Sequence, residues 1–187
     1  MSKLLIITMI FLNFSLFSES LELFFDWNNA STYELENGMK LKKQDEDFSY
    51  TLEAYNNGDD SLLLGWGISM SKVRLSDYNK NKVVLTPIYV STKYYLTNNS
   101  SGLNVFVKAH GGGYLTKNFL GKTDISNPNT IKFKEGFYYG MGLGLEWRSF
   151  ILQTMYKEYK GKVEVNGNKT ELDYFTTSIS LGYRFGV

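Results

Sequence analysis

The chain has 187 residues, a formal net charge of +1 and no cysteine, and it contains 17 glycines and only two prolines. Its near-neutral charge excludes a strongly basic nucleic-acid-binding domain, and the absence of cysteine excludes disulfide frameworks, thiolate zinc sites and thiol nucleophiles. Fourteen Tyr and 13 Phe in a proline-poor chain indicate an all-β protein.

The first twenty residues differ in composition from the rest of the chain. Lys3 precedes an apolar stretch over residues 4–17, which is shorter than the roughly 20 residues that a membrane-spanning helix needs. Ser18 and Ser20 then place small residues at positions −3 and −1 of a cleavage site after Ser20. We therefore expect a cleaved signal peptide over residues 1–20 and an exported domain over residues 21–187. A buried N-terminal helix is the alternative.

The rest of the chain shows a two-residue alternation of apolar and polar or small side chains, which is typical of strands. The pattern predicts eight strands, at about residues 21–29, 47–56, 61–74, 82–96, 103–116, 135–148, 150–162 and 172–187. Long links over residues 30–46, 75–81, 117–134 and 163–171 alternate with short links over residues 57–60, 97–102 and 149. Long loops at one rim and tight turns at the other are typical of outer-membrane barrels. The sequence predicts one domain, an eight-stranded antiparallel up-and-down transmembrane β-barrel.

The two faces of these strands differ in charge. One face carries no mid-strand charge and includes Leu21, Leu23, Phe25, Trp66, Val90, Leu143 and Trp147. The other face carries many Gly and Ser and nine charged residues: Glu22, Asp26, Glu53, Lys93, Lys108, Glu146, Arg148, Lys157 and Arg184.

An eight-stranded barrel has an interior that side chains can fill, so small residues and paired charges suit it. We expect the apolar face to contact lipid and the charged residues to pair inside, including Glu22 with Arg184 across the first and last strands. The glycines of the inner face are expected to make room for tyrosines. A soluble, lipocalin-like barrel with the opposite orientation, or an open sandwich, is the alternative.

The C-terminal residues are similar to the terminal-strand signal of outer-membrane β-barrels, here carried by Ser180, Gly182, Phe185 and Val187. Residues 87–96, 105–114 and 136–147 resemble the small outer-membrane β-barrel family, with porin-like and opacity-like members, and the resemblance covers about residues 47–187. It implies a monomer in a Gram-negative outer membrane. It also implies contact with outer-membrane lipid, lipopolysaccharide and the outer-membrane assembly machinery. Members serve as adhesins, anchors, small channels or, rarely, lipid-modifying enzymes, and they share no catalytic residues.

The remaining candidate site residues are better explained structurally. His110, the one histidine, points into the lumen by parity and has no nucleophile beside it in the sequence. Gly140, Gly142 and Gly144 do not have dinucleotide-binding spacing, and residues 45–47 lack an ordered cation-ligand spacing. We therefore expect no catalytic, cofactor-binding or metal-binding site. Lys72, Arg74 and Lys82 flank a long link and could contact lipopolysaccharide phosphates, or simply be solvated.

The function expected from the sequence is that of a non-enzymatic outer-membrane barrel. Its long surface loops would serve interaction, adhesion or anchoring, with a host or cell-surface ligand at the loops. The alternatives are a small porin-like channel, an outer-leaflet lipid-modifying enzyme and a soluble ligand carrier.

Overall fold

The computed structural model describes residues 19–35, 40–42, 47–59, 61–74, 82–97, 102–116, 131–165 and 168–186. These residues form ten strands: β1 (Ser20–Leu35), β2 (Lys40–Lys42), β3 (Asp47–Asp59), β4 (Leu62–Arg74), β5 (Lys82–Tyr95), β6 (Leu103–Thr116), β7 (Ile131–Phe133), β8 (Gly136–Trp147), β9 (Phe150–Val165) and β10 (Asn168–Gly186). Within the described ranges, no helix is long and apolar enough to cross a membrane.

Eight long strands close into a barrel. The order around the wall is β1, β3, β4, β5, β6, β8, β9 and β10, and β10 pairs with β1 to complete the circle. Every neighbouring pair is antiparallel. The short strands β2 and β7 pair with β1 and β9. The predicted fold class, an all-β eight-stranded antiparallel barrel, is confirmed.

The side chains alternate between the inside and the outside of the barrel, as the sequence pattern predicts. On β8, Tyr138, Gly140, Gly142, Gly144 and Glu146 face inside, and the residues that alternate with them face outward. Leu143, for example, is 58% exposed and Leu145 is 43% exposed. Because large apolar side chains cover the outside, the interior of this barrel is the polar side.

Five strands continue beyond the barrel at one end, which we call the loop end. Residues 30–35 of β1 pair with residues 172–177 of β10, and β2 pairs with β1. On the other side, β9 and β10 remain paired up to Val165 and Asn168, and β7 pairs with β9. We call this five-stranded sheet the extension. The predicted links over 30–46 and 163–171 are therefore wrong in part, because residues 30–35, 163–165 and 168–171 belong to strands.

At the opposite end of the barrel, which we call the turn end, the structure corrects the predicted position of Arg148. Arg148 and Ser149 form the turn between β8 and β9, where Trp147 faces Phe150 across the pair. A two-residue hairpin turn needs positive φ, and Arg148 adopts φ 57°. Arg148 therefore leaves the strand and lies exposed, with its guanidinium 5.3 Å from the Trp147 ring. Its predicted place in the lumen charge network is wrong.

Several predicted features lie outside the described residues. They are residues 1–18 of the signal peptide, Val187 of the terminal signal, and residues 36–39, 43–46, 60, 75–81, 98–101, 117–130 and 166–167 of the links. Residues 45–46 of the candidate cation site and the side chains of Lys72, Arg74 and Lys82 likewise lie outside what the structure describes. The signal peptide and its cleavage after Ser20 stay predictions.

Candidate functional site: the barrel lumen

Eight of the nine charged residues predicted for the lumen lie inside it. They are Glu22, Asp26, Glu53, Lys93, Lys108, Glu146, Lys157 and Arg184, and all except Arg184 have 7% or less of their surface exposed. The side chain of Arg184 is 22% exposed at the turn end. Without Arg148, the set contains four acids and four bases, so the charges of the described lumen balance.

The layer nearest the turn end links the first and last strands. Glu22 and Arg184 are cross-strand partners on β1 and β10, and Arg184 Nη2 lies 2.6 Å from Glu22 Oε1. Lys93 Nζ lies 2.6 Å from the same oxygen. Glu146 accepts from Arg184 Nη1 at 2.6 Å and from the Tyr95 hydroxyl at 2.7 Å. The predicted Glu22–Arg184 ion pair is thus present, and it belongs to a larger network.

The middle layer is centred on Glu53. Its carboxylate lies 2.5 Å from Lys108 Nζ and 3.1 Å from His110 Nε2. The hydroxyls of Tyr55 and Tyr89 each donate to it at 2.8 Å. Four donors on one fully buried carboxylate satisfy it well, which is the condition under which a buried charge is tolerated.

Asp26 holds the layer nearest the loop end. Lys157 Nζ lies 2.8 Å from Asp26 Oδ2, and the hydroxyls of Thr51 and Ser49 donate to the same oxygen at 2.8 and 3.0 Å. Asp26 is on β1 and Lys157 on β9, so this ion pair spans β10, the strand between them. The layers of Glu22 and Asp26 therefore tie the closing strand pair, β1 and β10, to side chains from other strands, whereas the Glu53 layer connects β3, β5 and β6.

An apolar cluster crosses the lumen between these charges. Phe24 on β1 and Phe106 on β6 come from opposite walls and pack with Ile151 and Tyr95. Phe24, Phe106 and Ile151 are at most 1% exposed. We call these three residues the plug. The ammonium of Lys108 lies 4.3 Å from the Phe24 ring centre, and that of Lys93 lies 4.5 Å from the Phe106 ring centre. Phe24 lies between Glu22 and Asp26 on the inner face of β1, but its contact with Phe106 across the barrel depends on closure of the barrel and was not predicted from the sequence.

Inward glycines make room for large rings, though not always for tyrosines. A Cβ at Gly67 would overlap the Tyr89 ring, and a Cβ at Gly65 would overlap the Tyr55 ring. At Gly182 it would overlap Phe24, and at Gly144 it would overlap Phe106. The glycines that sequence analysis assigned to tyrosines therefore also accommodate the plug.

His110 lies next to Glu53, a contact that the sequence did not reveal. Its two ring nitrogens contact Glu53 and, at 3.2 Å, the Tyr138 hydroxyl, and its ring stacks on Tyr89 with centroids 4.3 Å apart. A catalytic histidine of the serine-hydrolase type uses one nitrogen for the acid and the other for the nucleophile. Here the groups nearest the two nitrogens are the Glu53 carboxylate and the Tyr138 hydroxyl, although Ser91 is the cross-strand partner of His110. The arrangement is suited to packing and hydrogen bonding.

The outer face carries an acid, Glu158, that the sequence analysis missed. Glu158 on β9 points outward, and its side chain is only 9% exposed. Among the described residues, no group of three or more His, Cys, Asp or Glu side chains is arranged to hold a metal ion.

The terminal-signal residues lie on both faces of β10. Ser180 is fully buried in the lumen, Gly182 lies beside Phe24, and Phe185 is 46% exposed on the outside. Their recognition by the assembly machinery stays a prediction.

Comparison with protein-family models gives no match, and neither does comparison with curated protein sequences. Among solved structures, Neisserial surface protein A aligns with a TM-score of 0.56 at 13% identity, over 90% of this chain and 98% of that chain. Ail, the attachment invasion locus protein of Yersinia pestis, aligns with a TM-score of 0.50 at 11% identity, over 89% of this chain and 97% of that chain. Identities this low establish the fold alone: the chain has the fold of the eight-stranded β-barrels of bacterial outer membranes.

Proposed function

We propose that this protein is an integral outer-membrane protein. Its barrel is a closed, non-enzymatic anchor, and its extension and loop-end loops contact ligands at the cell surface. One observation carries the proposal: the polarity of the barrel is reversed relative to a soluble protein. Eight charged residues lie inside, while Leu143, Val90 and Leu181 are 58%, 67% and 62% exposed outside. Such a surface is stable in hydrocarbon and not in water.

The lumen supports an anchor rather than a channel. Phe24 and Phe106 reach across from opposite walls, and the ion pairs of Glu22, Glu53 and Asp26 fill the layers around them. Acids and bases that neutralise each other provide no path of one sign for ions. This arrangement favours the anchor over the porin-like alternative.

The position of the histidine disfavours the lipid-modifying enzyme. Its side chain is 2% exposed inside the barrel, with the Glu53 carboxylate 3.1 Å from Nε2 and the Tyr138 hydroxyl 3.2 Å from Nδ1. An outer-leaflet lipid would reach the outside of the wall and not this ring. The proposal therefore contains no catalytic role for His110.

The extension supports a role at the cell surface. It continues the sheet beyond the apolar band, and it carries exposed charged residues there: Lys162 on β9 faces Glu171 on β10. A paired, charged sheet is suited to water, so the extension belongs outside the bilayer. We place the partners of the protein accordingly: lipid and lipopolysaccharide around the barrel, the assembly machinery at β10, and a host or cell-surface ligand at the loops. The barrel itself acts as a monomer.

Fractionation tests the location of the protein. After expression in a Gram-negative host, we expect it in the outer-membrane fraction, resistant to carbonate and urea. On a gel, the unheated sample should migrate faster than the boiled one, because folded outer-membrane barrels resist unfolding by detergent. Extraction as a soluble protein would contradict the proposal.

Cell attachment tests the surface role. Replacing residues 117–130 by a short Gly-Ser linker should lower the attachment of intact expressing cells to cultured epithelial cells. The barrel should still show its gel shift, because these residues lie outside the eight barrel strands. Equal attachment by wild type, this variant and a matched variant in residues 75–81 would contradict a role for the loops.

A further inference from the structure

Glu158 is an acidic side chain on the side of the barrel that faces lipid. Its Oε2 accepts from the Tyr156 hydroxyl at 3.3 Å, and its Oε1 lies 3.2 Å from Lys160 Nζ. All three residues are on the outward face of β9. An ionisable group within or next to a membrane is costly and marks a functional site by default. Glu158 is not part of the lumen charge network, so that network does not explain why an acid lies on the outer face.

The neighbouring strands place Glu158 and Lys160 at the edge of the apolar band. Along the outside of β10, apolar Ile179 and Phe175 give way to Asp173 towards the loop end. Phe175 is the cross-strand partner of Glu158, and Asp173 is the partner of Lys160. The boundary between apolar and charged residues therefore runs between these two pairs. At that depth the headgroups of outer-leaflet lipids would surround the barrel.

The acid and the base of this pair differ in exposure. The side chain of Glu158 is 9% exposed, whereas that of Lys160 is 51% exposed. The ammonium lies 5.9 Å from the ring centre of Tyr139, which is the cross-strand partner of Glu158 on β8. Phe137 faces Lys160 across the same strand pair and is 75% exposed. We call Tyr139 and Phe137 the aromatic shelf. A lipid at this depth would therefore contact the Lys160 ammonium beside this shelf, with the Glu158 carboxylate beneath the ammonium.

The other charges near Lys160 leave its ammonium available. Asp173, its partner across β10, is half-buried, and Lys162, the next outward residue on β9, is exposed. The side chain of Lys134, whose backbone N–H bonds the carbonyl of Lys162, is 44% exposed. Glu171 is exposed opposite Lys162. Glu135, two residues before Phe137 and nearer the loop end, is also exposed. Among the described residues at the depth of Phe137 and Tyr139, the exposed charge is that of Lys160.

We propose that Lys160, Tyr139 and Phe137 bind an outer-leaflet glycolipid that carries phosphate, with the phosphate on Lys160 and an acyl chain on Phe137. Glu158 is a positioning residue: its carboxylate holds the Lys160 ammonium at this depth and reduces the net positive charge of the site. This inference rests on the proposed outer-membrane location. It goes further by naming a headgroup chemistry and the residues that select it.

Lipid retention after purification tests the site. Protein would be refolded into phosphatidylcholine vesicles that contain either diphosphoryl lipid A or lipid A with both phosphates removed, and then extracted in mild detergent. Native mass spectrometry would count the retained lipid A. We expect wild type to retain the phosphorylated form preferentially. K160Q should reduce that preference about fivefold, the factor for one basic residue at an anionic membrane surface.

Two variants separate the site from general charge effects. K169Q removes the same charge from an exposed residue of β10, further towards the end of the extension, and should leave the preference unchanged. E158Q removes the carboxylate charge that offsets Lys160, and should raise the preference by a similar factor.

Four outcomes would overturn this inference. They are equal retention of the two lipids by wild type, no effect of K160Q, an equal loss in K169Q and K160Q, or a loss in E158Q, which would mean that the carboxylate binds lipid through a cation. The gel shift of each variant in the vesicles shows whether the barrel has inserted. Failure to insert would count against the proposed function, whereas inserted protein without lipid discrimination counts only against this site.

Discussion

At the residue scale, one carboxylate holds several cations in the lumen. Glu22 lies 2.6 Å from both Lys93 and Arg184 and 3.9 Å from Lys108. Removing one partner of a buried ion pair leaves the others uncompensated, which costs more than the pair itself contributes. The stability of the barrel should therefore be sensitive at this position.

We predict that E22Q lowers the free energy of unfolding by about 3–5 kcal/mol. The reason is that the fully buried ammonium of Lys93 loses its nearer carboxylate and keeps only Glu146, at 3.4 Å. Urea titration in detergent micelles measures the effect. R148Q is the matched control, because Arg148 is exposed in the turn, and it should change stability by no more than about 0.5 kcal/mol. In a double-mutant cycle, E22Q and R184Q should show coupling, and additive effects would remove this pair from the account.

Packing at the plug gives a second prediction. G182A should destabilise the barrel by about 1–3 kcal/mol, because the added Cβ overlaps the Phe24 ring. Adding F24L to G182A should recover part of the loss. The control is G111A, where a Cβ meets nothing within 4 Å. If G182A and G111A unfold at the same urea concentration, Phe24 does not pack against Gly182 as described.

At the element scale, β8 shows how one strand separates lipid from lumen. Gly142 and Leu143 are neighbours in sequence and lie on opposite faces. The Cβ of a residue at Gly142 would overlap Met155 and the backbone of β9, whereas Leu143 is 58% exposed. The pattern fixes the orientation because a shift by one residue would move every apolar side chain to the other face.

Depth along the same strand gives a third prediction. L143R should destabilise the barrel in lipid by about 2–4 kcal/mol, the cost of arginine near the bilayer midplane. F137R, at the loop end of β8, should cost only about 0–1 kcal/mol, because it lies near the interface. Unfolding of both variants in phosphatidylcholine vesicles measures the difference. Equal costs at the two positions would show that the depth assignment is wrong.

The period-two pattern predicted the barrel strands well, and it failed where its physical basis is absent. Residues 168–171 form a strand in the extension, yet they read Asn-Lys-Thr-Glu, so no apolar residue marks the alternation there. In sequence, Arg148 continues the alternation that places Glu146 inside the barrel, but the turn takes two residues, so the alternation ends at Trp147. Hydrophobic patterning detects strands in which apolar and polar residues alternate, and it does not detect a paired segment that has no apolar residue.

The lumen site was predictable as a set but not as a network. Parity assigned nine charged residues to the interior, eight of them correctly, because alternation is local in sequence. Which acid meets which base depends on strand order and shear across the closed barrel. His110 and Glu53, for example, are separated by two strands and meet only there. Glu158 was missed because it interrupts the apolar face at its edge, where a single charge has little effect on the pattern.

At the scale of the whole molecule, the filled lumen determines whether the barrel conducts. Eight strands leave an interior that side chains can fill. The plug and the balanced ion pairs occupy it here. We predict that purified protein in a planar bilayer shows rare, small or no openings. Large, steady, ion-selective steps from single molecules would contradict a closed anchor and favour the channel alternative.

The central claim is that the apolar outside of this barrel lies in lipid, and its tryptophans report on that directly. All three, Trp27, Trp66 and Trp147, lie on the outward face, and Trp27 and Trp147 are 39% and 52% exposed. The measurement is tryptophan fluorescence of the folded protein in vesicles whose phosphatidylcholine carries bromine on its acyl chains. We predict strong quenching relative to unbrominated vesicles and weak quenching by iodide in the water. A folded protein quenched by iodide and unaffected by the brominated chains would contradict the claim.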